Sequence, residues 1–196
     1  CLSSQTSDDF ELYVCVNNYE SWWLDDNKQS QCEDNQKSIG LLQNENRFKI
    51  SIIDKSSPGK GWLEKRGGVG HARKVILDSI SKIADDKDVI ICMDADTFYP
   101  KEHLVSVGET LENNSLMGVA IPYYHKCDGR NDRLILRYEI YMRYYLLNML
   151  RIKNPYAFTA IGSAMAFPVW AYKKSGGMKP VQSGEDFYFL QKLLQH

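Results

Sequence analysis

The sequence predicts an α/β fold built on a mostly parallel sheet. Runs rich in β-branched residues alternate with segments of helical spacing through the first half of the chain, and this alternation favours parallel strands joined by right-handed crossovers. The run from Val89 to Met93 is too short for a core helix and is typical of a strand buried on both faces. Residues just beyond the end of that strand are expected to line a crevice.

The elements of the first half follow in order from these patterns. The predicted strands span about residues 12–16, 48–53, 89–93 and 116–121, and the predicted helices span about residues 21–46, 72–83 and 100–112. Pro58 and a group of glycines make the segment 54–70 a loop. The apolar residues of 72–83 recur at helical spacing.

The second half departs from simple alternation. A long helix is expected from Arg133 to Lys153, and it carries many tyrosines and leucines together with four arginines. Apolar stripes on helices usually face the core, so core packing or an interface is the first interpretation. Contact with a membrane surface or a partner domain is the alternative. A strand at 160–167 and helices at 169–175 and 187–194 complete the chain.

Composition describes one globular unit, expected to be a single domain over residues 1–196. The formal net charge is −1 with both signs mixed, so nucleic acid is not an expected partner. The five cysteines include no CxxC pair, which favours reduced thiols in a cytosolic protein over a disulfide framework or zinc site. From these residues we expect neither a signal peptide nor a bilayer-spanning stretch within the printed sequence, which leaves open a membrane segment elsewhere in a longer protein. The chain begins at Cys1 without a Met, so a fragment is one expectation.

Two carboxylates, those of Asp94 and Asp96, follow the apolar run that ends at Met93. At the carboxyl end of a strand in an open sheet, such a pair can hold a hard divalent ion, Mg²⁺ or Mn²⁺, together with substrate phosphates. The alternative is that both residues cap the helix that Pro100 opens, because Asp often has that role.

A second acidic pair, Glu185 and Asp186, follows Gly184 at the start of the last helix. Carboxylates gain there from capping and from the helix dipole, so a structural role alone would account for them. Together with the first pair they also suit group transfer from a diphosphate donor. That reaction needs a cation to neutralise the leaving group and a carboxylate to take the acceptor proton.

Six motifs in order resemble the family 2 glycosyltransferases with the GT-A fold. They are LYVCVNNYE, SIIDKSSPG, GGVGHARKVIL, DVIICMDADTFYPKEHL, IGSAMAFPVWAYKKSGGM and SGEDFYFLQKL. The resemblance covers nearly the whole chain and implies a three-layer α/β/α domain, with a nucleotide-binding half at about 10–122 and an acceptor-side half at about 123–196. It also implies a hexosyltransferase-like enzyme of polysaccharide biosynthesis, in the cytoplasm or at the inner face of a membrane.

The resemblance places four residues near the nucleotide. Asn17 lies in the turn after the first strand, where the family's usual Pro and Tyr-Asn are altered. Asp54 matches the acid that usually faces the nucleobase, although Lys55 stands where a second Asp is common. Gly70 and Arg73 lie in GVGHARK, which is similar to the Gly-x-x-x-Ala-Arg-Asn stretch, with Lys in place of the final Asn; the alternative is that Gly70 only ends a loop and Arg73 only faces solvent. Gly permits close backbone approach, and Arg can bind a base or a phosphate.

The same resemblance divides the carboxylates by role. Asp96 is expected to be the principal metal ligand, and Asp94 to contact the ribose or the metal. Asp186 is the first choice for the catalytic base, with Glu185 second. The implied reaction is an inverting single displacement in which a hydroxyl of a saccharide or other acceptor attacks the anomeric carbon of a nucleotide-sugar donor.

Two other classes stay open from the residues alone. A nucleotidyltransferase that makes a sugar nucleotide would need a Gly-rich, Lys- or Arg-bearing loop after the first strand, and NNYESWW contains none. A non-catalytic module that binds a sugar nucleotide or a partner is the other class, and the two acidic pairs argue against it.

Overall fold

A computed structural model describes residues 1–64, 66–127, 129–181 and 184–195, and it shows a mixed α/β fold. The strands are β1 (Glu11–Asn17), β2 (Lys49–Lys55), β3 (Val89–Cys92), β4 (Val119–Ala120) and β5 (Met165–Pro168). The α-helices are α1 (Gln29–Asn44), α2 (Val69–Ile83), α3 (His103–Asn114), α4 (Asp132–Arg151), α5 (Val169–Lys174) and α6 (Glu185–Leu193). The predicted α/β class is therefore confirmed.

The strands form two small sheets within the described residues. β1 and β2 are parallel, with Asn17 opposite Lys55 at their carboxyl ends. In the second sheet β5 lies between β3 and β4 and runs antiparallel to both. The expectation of one mostly parallel sheet is therefore met only in part. A parallel neighbour needs a crossover that packs on the sheet, whereas α4, which joins β4 to β5, makes no extensive contact with any strand among the described residues.

Helices cover both faces of the second sheet. The larger hydrophobic cluster packs one face of β3 and β5 against α2, α5 and α6, and Phe167 and Phe189 are its largest fully buried members. The smaller cluster packs Ala166 on the other face against Leu111 of α3. Consecutive residues of a strand point to opposite faces, so Ala166 and Phe167 belong to different clusters. Both faces of this sheet are thus buried, so a ligand could reach it only at the ends or the edges of its strands.

The helix predicted at 21–46 is divided in two. A short 3-10 helix covers Glu20–Leu24, and α1 begins only at Gln29. Between them the carboxylate of Asp25 accepts a hydrogen bond from the N–H of Asn27 at 2.9 Å. Asp side chains that bond the backbone two residues ahead favour a turn over a helix, which explains the break.

Other boundaries shift by several residues. The helix predicted from Pro100 begins at His103, and the strand predicted at 116–121 is reduced to β4. The strand predicted at 160–167 begins only at Met165, because residues 162–163 turn before it. The long helix predicted from Arg133 is confirmed as α4.

The described cysteines form no disulfide, and two of the five thiols, those of Cys32 and Cys92, are buried. Over the ranges that the structure describes, none of the helices combines the length and apolar character needed to cross a membrane.

Candidate active site

The candidate site lies beyond the end of β3, where α2 and α6 also begin. Asp94 is the second residue after β3, Arg73 lies in the second turn of α2, and Glu185 is the first residue of α6. Three distant parts of the chain therefore meet at one edge of the second sheet. This is the place that an apolar strand followed by two carboxylates predicts for a ligand.

Arg73 is at the centre of this cluster. Its guanidinium donates a hydrogen bond to the Glu185 carboxylate, and its other terminal nitrogen lies 4.0 Å from Oδ1 of Asp94. The side chains of Arg73 and Glu185 are only 14% and 8% exposed, whereas that of Asp94 is 50% exposed. A buried carboxylate partner fixes the orientation of a guanidinium, so Arg73 is held with one side toward the solvent-exposed Asp94.

Two glycines allow the backbone to approach the cluster closely. A Cβ on Gly162 would lie 2.3 Å from Nη1 and 2.4 Å from Cζ of Arg73. A Cβ on Gly70 would lie 2.5 Å from the carbonyl oxygen of Val181 and 3.5 Å from Cγ of Glu185. Gly70 therefore lets the chain before α6 pack on the start of α2. Gly162 is a site residue that the sequence did not single out, although it lies within the motif IGSAM.

Asp186 follows Glu185 in the first turn of α6. Its carboxylate accepts a hydrogen bond from the N–H of Phe187 at 2.7 Å, which satisfies one free donor of the first helical turn. Burial raises the pKa of the Cys92 thiol to about 12, while Arg73 lowers that pKa and Asp94 and Asp186 raise it. All three charges thus act on the last residue of β3. The carboxylate of Glu185 accepts its hydrogen bond from Arg73. The carboxylate of Asp186 has a second oxygen that makes no hydrogen bond to another described residue.

The loop after β3 is folded on itself and does not cap α3. The N–H of Asp94 donates to the hydroxyl of Tyr99 at 3.0 Å, and its carbonyl oxygen accepts from the N–H of Thr97 at 3.3 Å. α3 begins after Glu102, and the side chain that bonds its first turn is that of Gln5, whose Oε1 accepts from the N–H of Leu104 at 3.2 Å. The alternative that Asp94 and Asp96 are helix caps is therefore wrong, and both residues remain exposed.

The exposed carboxylates of Asp94 and Asp96 are the candidate metal ligands of this loop. The described residues contain no group of three or more His, Cys, Asp or Glu side chains placed to hold a metal ion. Mg²⁺ and related hard cations need oxygen ligands, and they commonly use one or two carboxylates with waters and substrate phosphates. Asp94 and Asp96 fit a cation site of that kind, and they do not form a cage made only of protein ligands.

Asp54 lies in a second cluster, at the carboxyl ends of β1 and β2. Its carboxylate accepts hydrogen bonds from the N–H groups of Ser56 and Ser57, each at 3.0 Å, and pairs with Nζ of Lys60 at 2.9 Å. Burial raises the pKa of Asp54, but the bonds from Ser57 and Ser56 and the Lys60 ammonium outweigh it and hold that pKa well below its usual range. The oxygens of Asp54 are thus engaged by the loop that follows it.

Trp62 connects this second cluster to α2. Its indole N–H donates to Oδ1 of Asn17 at 3.2 Å, and the Lys55 ammonium lies 5.3 Å from its ring centroid. Its ring centroid is also 6.1 Å from that of His71, two residues before Arg73. No hydrogen bond or ion pair between described side chains joins Asn17 or Asp54 directly to the Arg73 cluster. The sequence signal for Trp62 was a large aromatic residue within a Gly-rich loop.

Comparisons of the chain with protein-family models, with curated proteins and with solved structures give no significant match.

Proposed function

We propose that this chain is an inverting family 2 glycosyltransferase with a GT-A fold, which moves a sugar from a nucleotide-diphosphate sugar to an acceptor hydroxyl. The observation that carries the proposal is the meeting of Arg73, Asp94 and Glu185 beyond the end of β3, with Asp186 next to Glu185 in the first turn of α6. Transfer from a diphosphate donor requires fixed charges of both signs around one reacting centre. Helices on both faces of the β3–β5–β4 sheet support the three-layer form of that fold.

The exposed loop after β3 is assigned to the diphosphate end of the donor. Asp96 would be the principal ligand of Mn²⁺ or Mg²⁺, and Asp94 would contact the ribose or the same ion. When bound, the cation would neutralise charge on the departing diphosphate. Arg73 orients Asp94 from the buried side, since its guanidinium lies 4.0 Å from that carboxylate.

Asp186 is assigned as the catalytic base. The acceptor hydroxyl loses its proton to the Asp186 carboxylate, its oxygen forms the new bond to the anomeric carbon, and the bond from that carbon to the diphosphate oxygen breaks with its electron pair on the leaving group. Glu185 is the weaker candidate because Arg73 already occupies its carboxylate. Its proposed role is to position Arg73.

The second cluster is assigned to the nucleoside end of the donor. Asn17 and Asp54 close the carboxyl ends of two parallel strands, and Trp62 offers an aromatic ring beside them. Aromatic rings and amide side chains are common partners of nucleobases. Asp54 contributes by shaping its loop, because its oxygens already accept hydrogen bonds there.

The biological setting proposed with this activity is polysaccharide biosynthesis on the cytoplasmic side of a membrane, with a saccharide or another hydroxyl compound as acceptor.

The test is donor binding and donor hydrolysis with a panel of sugar nucleotides, measured with and without Mn²⁺. We expect metal-dependent binding in the unsubstituted chain and its loss in Asp96→Ala. Asp186→Asn should keep donor binding and lose turnover by roughly a hundredfold or more, the usual contribution of a positioned general base. Asp26→Asn changes an exposed carboxylate far from these residues in the sequence and serves as the matched control.

Each part of the proposal can fail separately. Full activity of Asp186→Asn with an acceptor present would exclude Asp186 as the base. Binding without turnover on any acceptor would favour a non-catalytic sugar-nucleotide module. Absence of binding to every sugar nucleotide would exclude the glycosyltransferase itself.

A further inference from the structure

α4 exposes a large apolar surface. Glu139 is its single buried residue, and no other described helix or strand packs extensively along it. Large side chains such as Ile140 and Tyr141 are 67% and 63% exposed. A contiguous exposed apolar surface of this kind marks contact with a partner or with a membrane. Of the two roles first expected for this helix, core packing or an interface, core packing is therefore wrong for most of its circumference.

One face of α4 carries a row of tyrosines. The row begins with a leucine, and its four members are all exposed and lie four, three and four residues apart: Leu134, Tyr138, Tyr141 and Tyr145. Residues three and four apart share a helix face, so the row is continuous. We call these four residues the tyrosine stripe. Tyrosine is enriched where a protein surface meets the headgroup region of a bilayer, because its ring is apolar and its hydroxyl is polar.

Arginines border the tyrosine stripe. Arg137 lies three residues after Leu134 and four before Tyr141, and Arg133 lies one turn before Arg137. Both are exposed, as is Arg151 near the end of the helix. None of these three pairs with a carboxylate among the residues that the structure describes. Residues 130–153 contain six cations and two carboxylates, in a chain whose net charge is −1.

The two carboxylates of this helix are already engaged. Oδ1 of Asp132 accepts a hydrogen bond from the N–H of Gly129 at 2.8 Å. Glu139 accepts from Nδ1 of His125 at 2.9 Å and pairs with Arg143 at 2.8 Å. Glu139 thus balances Arg143, whereas Arg133 and Arg137 beside the tyrosine stripe pair with no described carboxylate.

This combination selects among possible occupants. A protein core would cover the tyrosines but leave Arg133 and Arg137 buried and unpaired, at a large cost. A second copy packed α4 against α4 would bring like charges together. A membrane that carries anionic lipids supplies phosphates for the arginines beside an apolar layer for the rings.

We infer that α4 lies on the surface of an anionic membrane through the tyrosine stripe and the arginines that border it. This inference does not depend on the proposed transferase activity, because vesicle binding is measured without any donor or acceptor.

The experiment is cosedimentation of the chain with vesicles of phosphatidylcholine alone and with vesicles that also contain phosphatidylglycerol. We expect binding to the anionic vesicles and weaker binding as salt is raised, because surface charges are screened. Arg133→Gln with Arg137→Gln should weaken binding roughly tenfold or more, since each cation near an anionic surface contributes about fivefold. Tyr138→Ser with Tyr141→Ser should abolish it.

Matched variants elsewhere on the surface control for exposure and for charge. Leu24→Ser with Leu41→Ser removes two exposed apolar side chains outside α4, and Lys82→Gln with Lys87→Gln removes two exposed cations. Both should bind anionic vesicles as the unsubstituted chain does, and all variants should keep its circular dichroism.

Three results would overturn the inference. One is absence of binding to either vesicle. Another is equal loss of binding in the α4 variants and the control variants. The third is a concentration-dependent dimer that Tyr138→Ser with Tyr141→Ser dissociates, without vesicle binding, which would assign the face to a second copy.

Discussion

The guanidinium of Arg73 donates a hydrogen bond to the carboxylate of Glu185, a residue 112 positions away in the sequence. Both side chains are largely buried, and they join the start of α2 to the start of α6. The same guanidinium lies beside Asp94. This ion pair therefore holds the starts of α2 and α6 together. It also fixes the Arg73 guanidinium beside the carboxylate of Asp94, which follows β3.

Breaking this pair should destabilise the chain strongly. Glu185→Ala leaves a buried guanidinium without its partner, and loss of one member of a buried pair costs about 3–5 kcal/mol of unfolding free energy. Arg73→Met combined with Glu185→Leu should cost clearly less, because neither charge remains buried. Urea unfolding followed by circular dichroism measures both changes.

The exposed pair of Lys37 and Asp34 is the control for this prediction. Its side chains are 72% and 71% exposed, so Asp34→Ala should leave the unfolding free energy unchanged within error. Equal effects of Glu185→Ala and Asp34→Ala would contradict a structural role for the Arg73 pair.

Gly162 should tolerate no side chain. A Cβ there would lie 2.3 Å from Nη1 of Arg73, and that nitrogen cannot retreat without releasing Glu185. We expect Gly162→Ala to cost about 1–3 kcal/mol, as overpacking does, and to weaken donor binding. Unfolding and binding measurements test the two effects together.

Gly108 is the matched glycine. It lies inside α3, and a Cβ there would meet nothing within 4 Å. Gly108→Ala should therefore stabilise the chain by about 0.5–1 kcal/mol, because Ala loses less backbone entropy in a helix. A stable Gly162→Ala variant with normal binding would show that Arg73 is free to move.

Some of this arrangement is visible in the sequence because it is local. The short apolar run that becomes β3 fixes the place of Asp94 by adjacency, and the 3.6-residue spacing of apolar side chains fixes α2. Gly70 lies within a motif and packs closely against the backbone of Val181. Pattern and adjacency are the only information these placements need.

The rest depends on contacts between distant residues. Hydropathy does not encode strand direction, so nothing in the run that becomes β5 shows that it lies antiparallel between β3 and β4. The pairing of Arg73 with Glu185 likewise has no local signal, and the sequence therefore ranks Asp186 before Glu185 as the base by resemblance alone. Asp54 matches a binding motif, yet its oxygens bond to its own loop.

The stability of the chain should fall in acid partly through Asp54. Burial alone would raise its pKa, but Ser57, Ser56 and Lys60 hold the folded-state pKa well below its ordinary value. A carboxyl group of this kind contributes stability above its unfolded pKa of about 3.9. That contribution is lost as pH falls below this value toward the folded pKa.

Asp54→Asn should remove this contribution. We expect a loss on the order of 2 kcal/mol at pH 7, as for hydrogen bonds to a charged group, and a flatter dependence of unfolding free energy on pH below about 5. Urea unfolding at a series of pH values measures both. A variant with the same acid dependence as the unsubstituted chain would assign that dependence to other carboxylates.

The thiol of Cys92 reports on the packing beneath the candidate site. Burial raises its pKa to about 12, and Asp94 and Asp186 add to the effect against Arg73. At pH 8 almost none of this thiol is ionised, and thiolate is the reactive form. Iodoacetamide should therefore modify the exposed Cys1 and Cys127 first, while Cys92 reacts only after unfolding. Mass spectrometry of peptides from briefly labelled protein distinguishes the sites.

The same labelling connects the ion pair to the site. Arg73 and Glu185 hold together the starts of α2 and α6, and both helices pack beside Cys92. Glu185→Ala should therefore expose this thiol and accelerate its labelling in the absence of urea. Asp34→Ala should leave the labelling rate unchanged, since its pair lies on the surface. Rapid labelling of Cys92 in the unsubstituted chain would contradict this prediction. It would mean that iodoacetamide reaches the end of β3 while Arg73 and Glu185 are still paired, so that this ion pair does not protect the thiol.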